Sequence, residues 1–142
     1  MDLENSPHPA QRAAALSARY ASERRKAEWL ALYADDAIVE DPVGVSPLDP
    51  TGHGHRGRKG LEAFWDMAIG PGNMTYQIHQ STACGDECAN VWSVSNRMPD
   101  GFLLTVDVIS IYKVNASGKL MAMRAFWKFS DIEEKLKASL KA

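Results

Sequence analysis

Cysteine is almost missing from this chain, with two in 142 residues, so a disulfide framework is not what holds it together. The two, Cys84 and Cys88, flank Gly85-Asp86-Glu87 and are read as small core thiols facing each other across a hairpin turn in a reducing compartment. Without further ligands beside them they do not make a zinc site. A dense Lys/Arg block is also lacking. The formal net charge is -2 and the one basic cluster, Arg24-Arg25-Lys26, reads as a solvated helix end, which excludes nucleic acid and anionic membrane as main partners. No apolar run approaches the ~20 residues of a membrane helix. The opening MDLENSPHPA carries acidic residues and prolines where a secretory signal has a basic and then an apolar stretch, so the expected location is cytoplasmic. There is no internal repeat and no low-complexity segment.

What is present is the balance of a water-soluble globular chain, 45% hydrophobic and 24% charged, at a length that suits one core and not two. Residues 1–142 are read as one domain, with 1–8 and 130–142 as terminal extensions. From Ala10 to Ala21, the spacing of Ala13, Leu16, Ser17 and Tyr20 predicts an amphipathic helix, and Pro9 suits its first turn. A second short helix is expected over Lys26 to Tyr33, with Trp29, Leu30 and Tyr33 facing inward and Asp35-Asp36 breaking it. Leu61, Phe64, Trp65 and Ala68 give a third helical stripe, closed by Gly70-Pro71-Gly72. Between them, PVGVSPLDPTGHGHRGRKG is too rich in Pro and Gly for regular structure through its middle.

From Met74 onward the texture turns to β. MTYQIHQSTAC, ECANVWSVSNRM, FLLTVDVISIYKV and KLMAMRAFWKF are separated by GDE, PDG and NASG turns, which predicts an antiparallel meander. Helices followed by strands give an α+β fold with the helices on one face of the sheet. The tail DIEEKLKASLKA reads as a short charged helix carrying no chemistry.

By the two-residue period, Trp92, Val94 and Asn96 share one strand face, as do Val106, Val108, Ser110 and Tyr112, and Met123, Ala125 and Trp127. Asn96 and Ser110 stand out, because a buried polar group without a partner costs roughly 1–3 kcal/mol. Asp41 follows the apolar alternation Ala37, Ile38, Val39 and precedes Pro42, so Glu40 and Asp41 point to opposite faces. A carboxylate facing an apolar cavity has its pKa raised by desolvation and becomes a usable base. His53 and His55 lie near Asp49 in the Gly-rich loop, but such loops scatter these residues, and neither a metal nor a cofactor is expected. His79 reads as a structural residue on a strand.

The segment ALYADDAIVEDPVG, Ala31 to Gly44, resembles the second helix and base-bearing strand of the bacterial ketosteroid isomerases, members of a nuclear-transport-factor-2-like superfamily that also holds SnoaL-type polyketide cyclases. VNASGKLMAMRAFW, Val114 to Trp127, resembles the family's last hairpin and strand, and GRKGLEAFW its third helix, so the likeness spans about residues 10 to 128. The resemblance implies a cone: a curved antiparallel β-sheet wrapped by three N-terminal helices, in a homodimer, with an apolar cavity open at one end. It implies Asp41 as general base, moving a proton between two carbons next to an unsaturated ketone while donors hold the dienolate oxygen, the arrangement for which ketosteroid isomerase is the standard example. The family's tyrosine donor aligns with Ser17 and its acidic donor with Ser110. Tyr20, one turn beyond Ser17, is a further candidate donor. Tyr33, Phe64, Trp65, Trp92, Val94, Asn96, Val108, Met123 and Trp127 are expected to contact a hydrophobic, steroid-like ligand, with Trp65, Trp92 and Trp127 as apolar walls. The loop from Gly44 to Gly57, longer than the isomerases' own, is expected to form a lid or rim. A cyclase or hydrolase, or a binding protein without turnover, is the competing reading.

Overall fold

Small side chains decide how closely the first helix lies on the sheet. In the computed structural model, which describes residues 2–141, α1 (Pro9–Ser22) starts on Pro9, and His8 caps it by accepting the Ala10 amide at 3.2 Å. Its buried stripe is Ala10, Ala13, Ala14, Ser17 and Ala21. Leu16 and Tyr20, expected to lead that stripe, lie on its flank, because the alanines allow the closer approach.

α2 spans Lys26–Ala31, shorter than expected. Tyr33 is not the last inward residue of this helix but the first of β1 (Tyr33–Glu40), and Asp35 and Asp36 are strand residues. The reason is tertiary: Leu32 O accepts the Leu120 amide at 2.9 Å and Tyr33 pairs with Leu120. Trp29 and Tyr33 sit at helical spacing, and only the distant strand partner overrides it.

The sheet has six strands in the order β2-β1-β6-β5-β4-β3 and does not close on itself. β3 (Met74–Cys84), β4 (Glu87–Arg97), β5 (Leu103–Val114) and β6 (Leu120–Phe126) form the expected antiparallel meander. The sheet is not antiparallel throughout, since β1 runs parallel to β6. The two-residue β2 (His55–Arg56) pairs with β1 inside the loop expected to be irregular. Register shifts between Ile78 and Gln80 and between Lys113 and Val114 bend the ribbon. Cys84 pairs with Glu87 and is exposed, so Cys88 alone is a core thiol.

α3 (Gly57–Phe64) runs into a wider π turn, Trp65–Ile69, closed by the Gly70 amide on Trp65 O at 2.7 Å. Gly72 follows because nothing larger fits: a Cβ there would stand 2.2 Å from Asn96 Oδ1. The Asn73 amide is the partner Asn96 needed, donating to that oxygen at 3.0 Å. α1 packs on β3, β4 and β5, and α3 on β1, so the helices cover one face of the sheet. Between the layers Trp29 meets Tyr33, Trp65 and Phe64 with ring centroids 4.7, 5.3 and 6.3 Å apart. α4 (Phe129–Lys141) closes the chain and is tied to β5 by Lys135 Nζ on Thr105 O at 2.5 Å. Among the described residues no helix is long and apolar enough to cross a membrane.

Candidate active site

The three strand faces picked out by parity converge on a single cavity of about 340 Å³, closed over by residues of α1, α2 and α3. Trp92, Val94, Val108 and Met123 form its apolar floor, and Phe64 and Tyr33 stand opposite. Asn96 lines it too, with its oxygen turned to the Asn73 amide. Trp65 is buried but absent from the lining; it backs Trp29 instead of forming a wall. Leu48 brings the 44–57 loop to the cavity. That loop is ordered by Asp49, buried at 5% exposure, whose carboxylate accepts the Gly54 amide at 2.9 Å and the Thr51 hydroxyl at 3.4 Å. Among the described residues no group of three His, Cys, Asp or Glu side chains is arranged to hold a metal. His79 is exposed, with Nε2 2.7 Å from Ser93 Oγ.

Of the two carboxylates at the end of β1, Asp41 faces the cavity, while Glu40 turns toward Arg124 at 3.6 Å. Burial pushes the Asp41 carboxyl up to about 6, opposed by the Trp127 indole, which donates to Oδ1 at 2.5 Å. Trp127 is therefore more than an apolar wall. Among the described residues its N–H is the one side-chain partner of the cavity's only carboxylate, and side-chain direction of that kind is not written in strand parity. A carboxyl near 6 in an apolar enclosure is balanced between holding and releasing a proton.

Apart from the Asn96 amide, the cavity's other polar side chains carry hydroxyls or indole N–H groups. Ser17 accepts the Trp29 indole N–H at 3.1 Å and lies 3.5 Å from Tyr33 Oη. Ser110 accepts the Trp92 indole N–H at 2.6 Å. Tyr20 does not join them. It lies outside the cavity lining, on the flank of the buried stripe of α1 and against the edge of the core, with its ring under the Arg25 guanidinium at 5.2 Å.

Tyr76 and Tyr112, not singled out from sequence, also line the cavity. Burial holds their phenols and that of Tyr33 in the neutral form, and the Asp41 charge pushes each the same way. The signal for Tyr112 was available, since it shares parity with Ser110. The signal for Tyr76 was available too, since Met74, Tyr76 and Ile78 alternate with the exposed Thr75, Gln77 and His79. Phe129 and Ile132 were missed as well: the stretch expected to be an extension without chemistry lines the cavity through the i, i+3 face of α4.

Comparison with known proteins agrees with this architecture. A family model described as a SnoaL-like domain matches residues 13–123. A Steroid Delta-isomerase of Nocardioides simplex is 30% identical over 102 residues, covering 72% of this chain and 76% of that protein. Among solved structures, a Delta 5-3-Ketosteroid Isomerase from Mycobacterium sp. superposes with a TM-score of 0.82 at 32% identity, over 87% of this chain and 95% of its own. A Mycobacterium tuberculosis protein solved in complex with estradiol-17beta-hemisuccinate gives a TM-score of 0.81 at 31% identity, over 87% and 96% of the two chains.

Proposed function

We propose, from the premise that the chain belongs to the SnoaL-like domain family, that it is a ketosteroid isomerase-like enzyme with Asp41 as general base. The observation that carries this reading is a single carboxyl, pushed up to about 6 by burial, inside a largely apolar cavity whose other polar side chains are uncharged. As carboxylate, Asp41 removes a proton from the carbon between a carbonyl and its β,γ double bond, and the electron pair moves onto the carbonyl oxygen. The resulting dienolate takes the same proton back from Asp41 at its far carbon, leaving the double bond conjugated. Atoms and charge balance with the carboxyl alone, and no cofactor is required. Ser17 and Ser110 supply the hydroxyls that hold the dienolate oxygen, replacing the family's tyrosine and acid.

The walls suit a flat, fused-ring ligand, and the volume lies in the ~300–1,000 Å³ range of small-molecule pockets. The steroid named with two of the relatives supports a steroid-like substrate. Cyclase or hydrolase chemistry would want a second acid or a held water beside Asp41, and Asp107 is exposed on the other face, bonded to Ser93 at 3.2 Å. A binding protein without turnover is favoured by what the family resemblance implies, serines at both donor positions.

The same reading includes a homodimer. On the sheet's outer face Val91, Ile109 and Phe126 are neighbours across three strands and 36%, 51% and 40% exposed, an apolar row that a second copy would cover. Ile109→Lys is expected to shift the native chain from dimer to monomer in sedimentation; a monomeric native chain contradicts it. A cytoplasmic location goes with the reading and is checked by cell fractionation.

The test of function is conversion of a β,γ-unsaturated ketosteroid to its conjugated isomer, followed by ultraviolet absorbance, for the native chain beside Asp41→Asn. Turnover by the native chain that is lost in the variant is the expected result. No turnover by the native chain, or turnover indifferent to the substitution, rejects the assignment.

A further inference from the structure

The four tryptophans of this chain do not share one task. Trp65 packs, Trp127 holds Asp41, and the remaining two donate to the two serines that stand where the family has its oxygen-holding groups. The two serine sites are built alike. Trp29 lies against Tyr33 with ring centroids 4.7 Å apart and sends its N–H to Ser17 at 3.1 Å. Trp92 meets Tyr112 edge-on at 6.5 Å and sends its N–H to Ser110 at 2.6 Å. Ser17 and Ser110 are 5% and 2% exposed, Tyr33 and Tyr112 2% and 6%, and all four line the cavity.

An indole N–H only donates, whereas a serine hydroxyl has one hydrogen and two lone pairs. When the indole occupies a serine lone pair, the serine's own hydrogen is left to find another acceptor. Around the two serines the cavity is lined by indoles and phenols, and the side-chain carbonyl of Asn90, paired with Ser110 across β4 and β5, already accepts from Cys88 Sγ at 3.4 Å. Both serines favour the ionised form of Tyr112 against the effect of its burial, and Ser17 Oγ lies 3.5 Å from Tyr33 Oη, a pair in which either oxygen could donate. What such a cluster lacks is an oxygen carrying negative charge, and charge-assisted bonds to one are roughly twice as strong as neutral ones.

We propose that Trp29 and Trp92 are positioning residues that fix Ser17 and Ser110 as paired hydrogen-bond donors to one enolate or phenolate oxygen at the buried end of the cavity. The proposal rests on the isomerase-like reading of the site. It adds the means by which short serines replace a tyrosine and an acid. The alternative is structural: a buried indole N–H needs an acceptor, and the serines do no more than provide it.

The probe is 2-naphthol, whose affinity is read by fluorescence and whose ionised fraction is read from its absorption. Binding it requires no base, so its outcome stands apart from whether Asp41 turns over a ketosteroid. Ser110→Ala is expected to weaken binding about tenfold and lower the bound ionised fraction. Trp92→Phe, which keeps the ring and removes the N–H, is expected to weaken it about threefold to tenfold in the native background and less than twofold when Ser110→Ala is already present. Ser17→Ala with Trp29→Phe repeats the cycle at the other site, so one variant that fails to fold leaves the second pair to decide. Equal losses from Trp92→Phe in both backgrounds, an ionised fraction indifferent to Ser110→Ala, or no binding of 2-naphthol by the native chain would overturn the proposal.

Discussion

Taken as the two chemical ends of the cavity, Asp41 and the serine pair meet the same kind of partner and answer differently. At Asp41 an indole N–H faces a carboxyl and works against burial, keeping its pKa from rising further. At Ser17 and Ser110 an indole N–H faces a hydroxyl that does not ionise, and its effect is to turn the hydroxyl's own hydrogen elsewhere. One donor type thus serves a proton acceptor at one end and creates hydrogen-bond donors at the other. What separates the ends is titration. Asp41 is poised near 6, while Tyr33, Tyr76 and Tyr112 are held neutral well above their ordinary value.

Removing the titrating end should break the contrast most severely. Asp41→Asn keeps an acceptor for Trp127 and removes the base, and is expected to lower ketosteroid turnover by ~10²–10⁴-fold, measured as initial rate. At the other end, Ser17→Ala combined with Ser110→Ala is expected to cost ~10²-fold in kcat with a smaller change in KM, because the donors act on charge that develops during reaction. A loss confined to KM would assign the serines to ground-state binding.

The same contrast has a stability side. The Asp41 carboxyl rises from an ordinary 3.8 to about 6, so between those values the folded chain holds more protons than the unfolded one. Its contribution to stability is therefore fully present at low pH and is lost as pH rises through about 6, where the ionised carboxylate costs about 3 kcal/mol. Asp41→Asn is expected to raise the melting temperature at pH 8 and to give little gain at pH 4. The smallest effect is expected from Trp127→Phe. It removes the bond that lowers the Asp41 pKa and should move the acid limb of the rate profile up by about one pH unit.

Much of this arrangement was legible in the sequence, for identifiable reasons. Strand parity assigned Trp92, Val94, Ser110 and Met123 to one face because a buried sheet face leaves no freedom of register. Asp41 stood out because it ends an apolar alternation just before a proline. Tertiary partners were not legible. Nothing local says that Tyr33 leaves a helix to pair with Leu120, that β1 lies parallel to β6, or that His55 and Arg56 make a strand amid glycines. Tyr20 was misjudged because the helical stripe was centred on its large side chains, whereas the alanines face the sheet. Trp127 was read by its bulk, and its N–H proved to be the part that matters to Asp41.

The account turns on the claim that burial makes Asp41 a base near neutrality, and the pH dependence of kcat/KM for a β,γ-unsaturated ketosteroid tests it most directly. A profile that falls tenfold per pH unit below about 6 and stays level above it, with no further limb until the tyrosines or the fold give way, is predicted. A midpoint near the ordinary carboxylate value of about 4, or a rate indifferent to pH across that range, would contradict it.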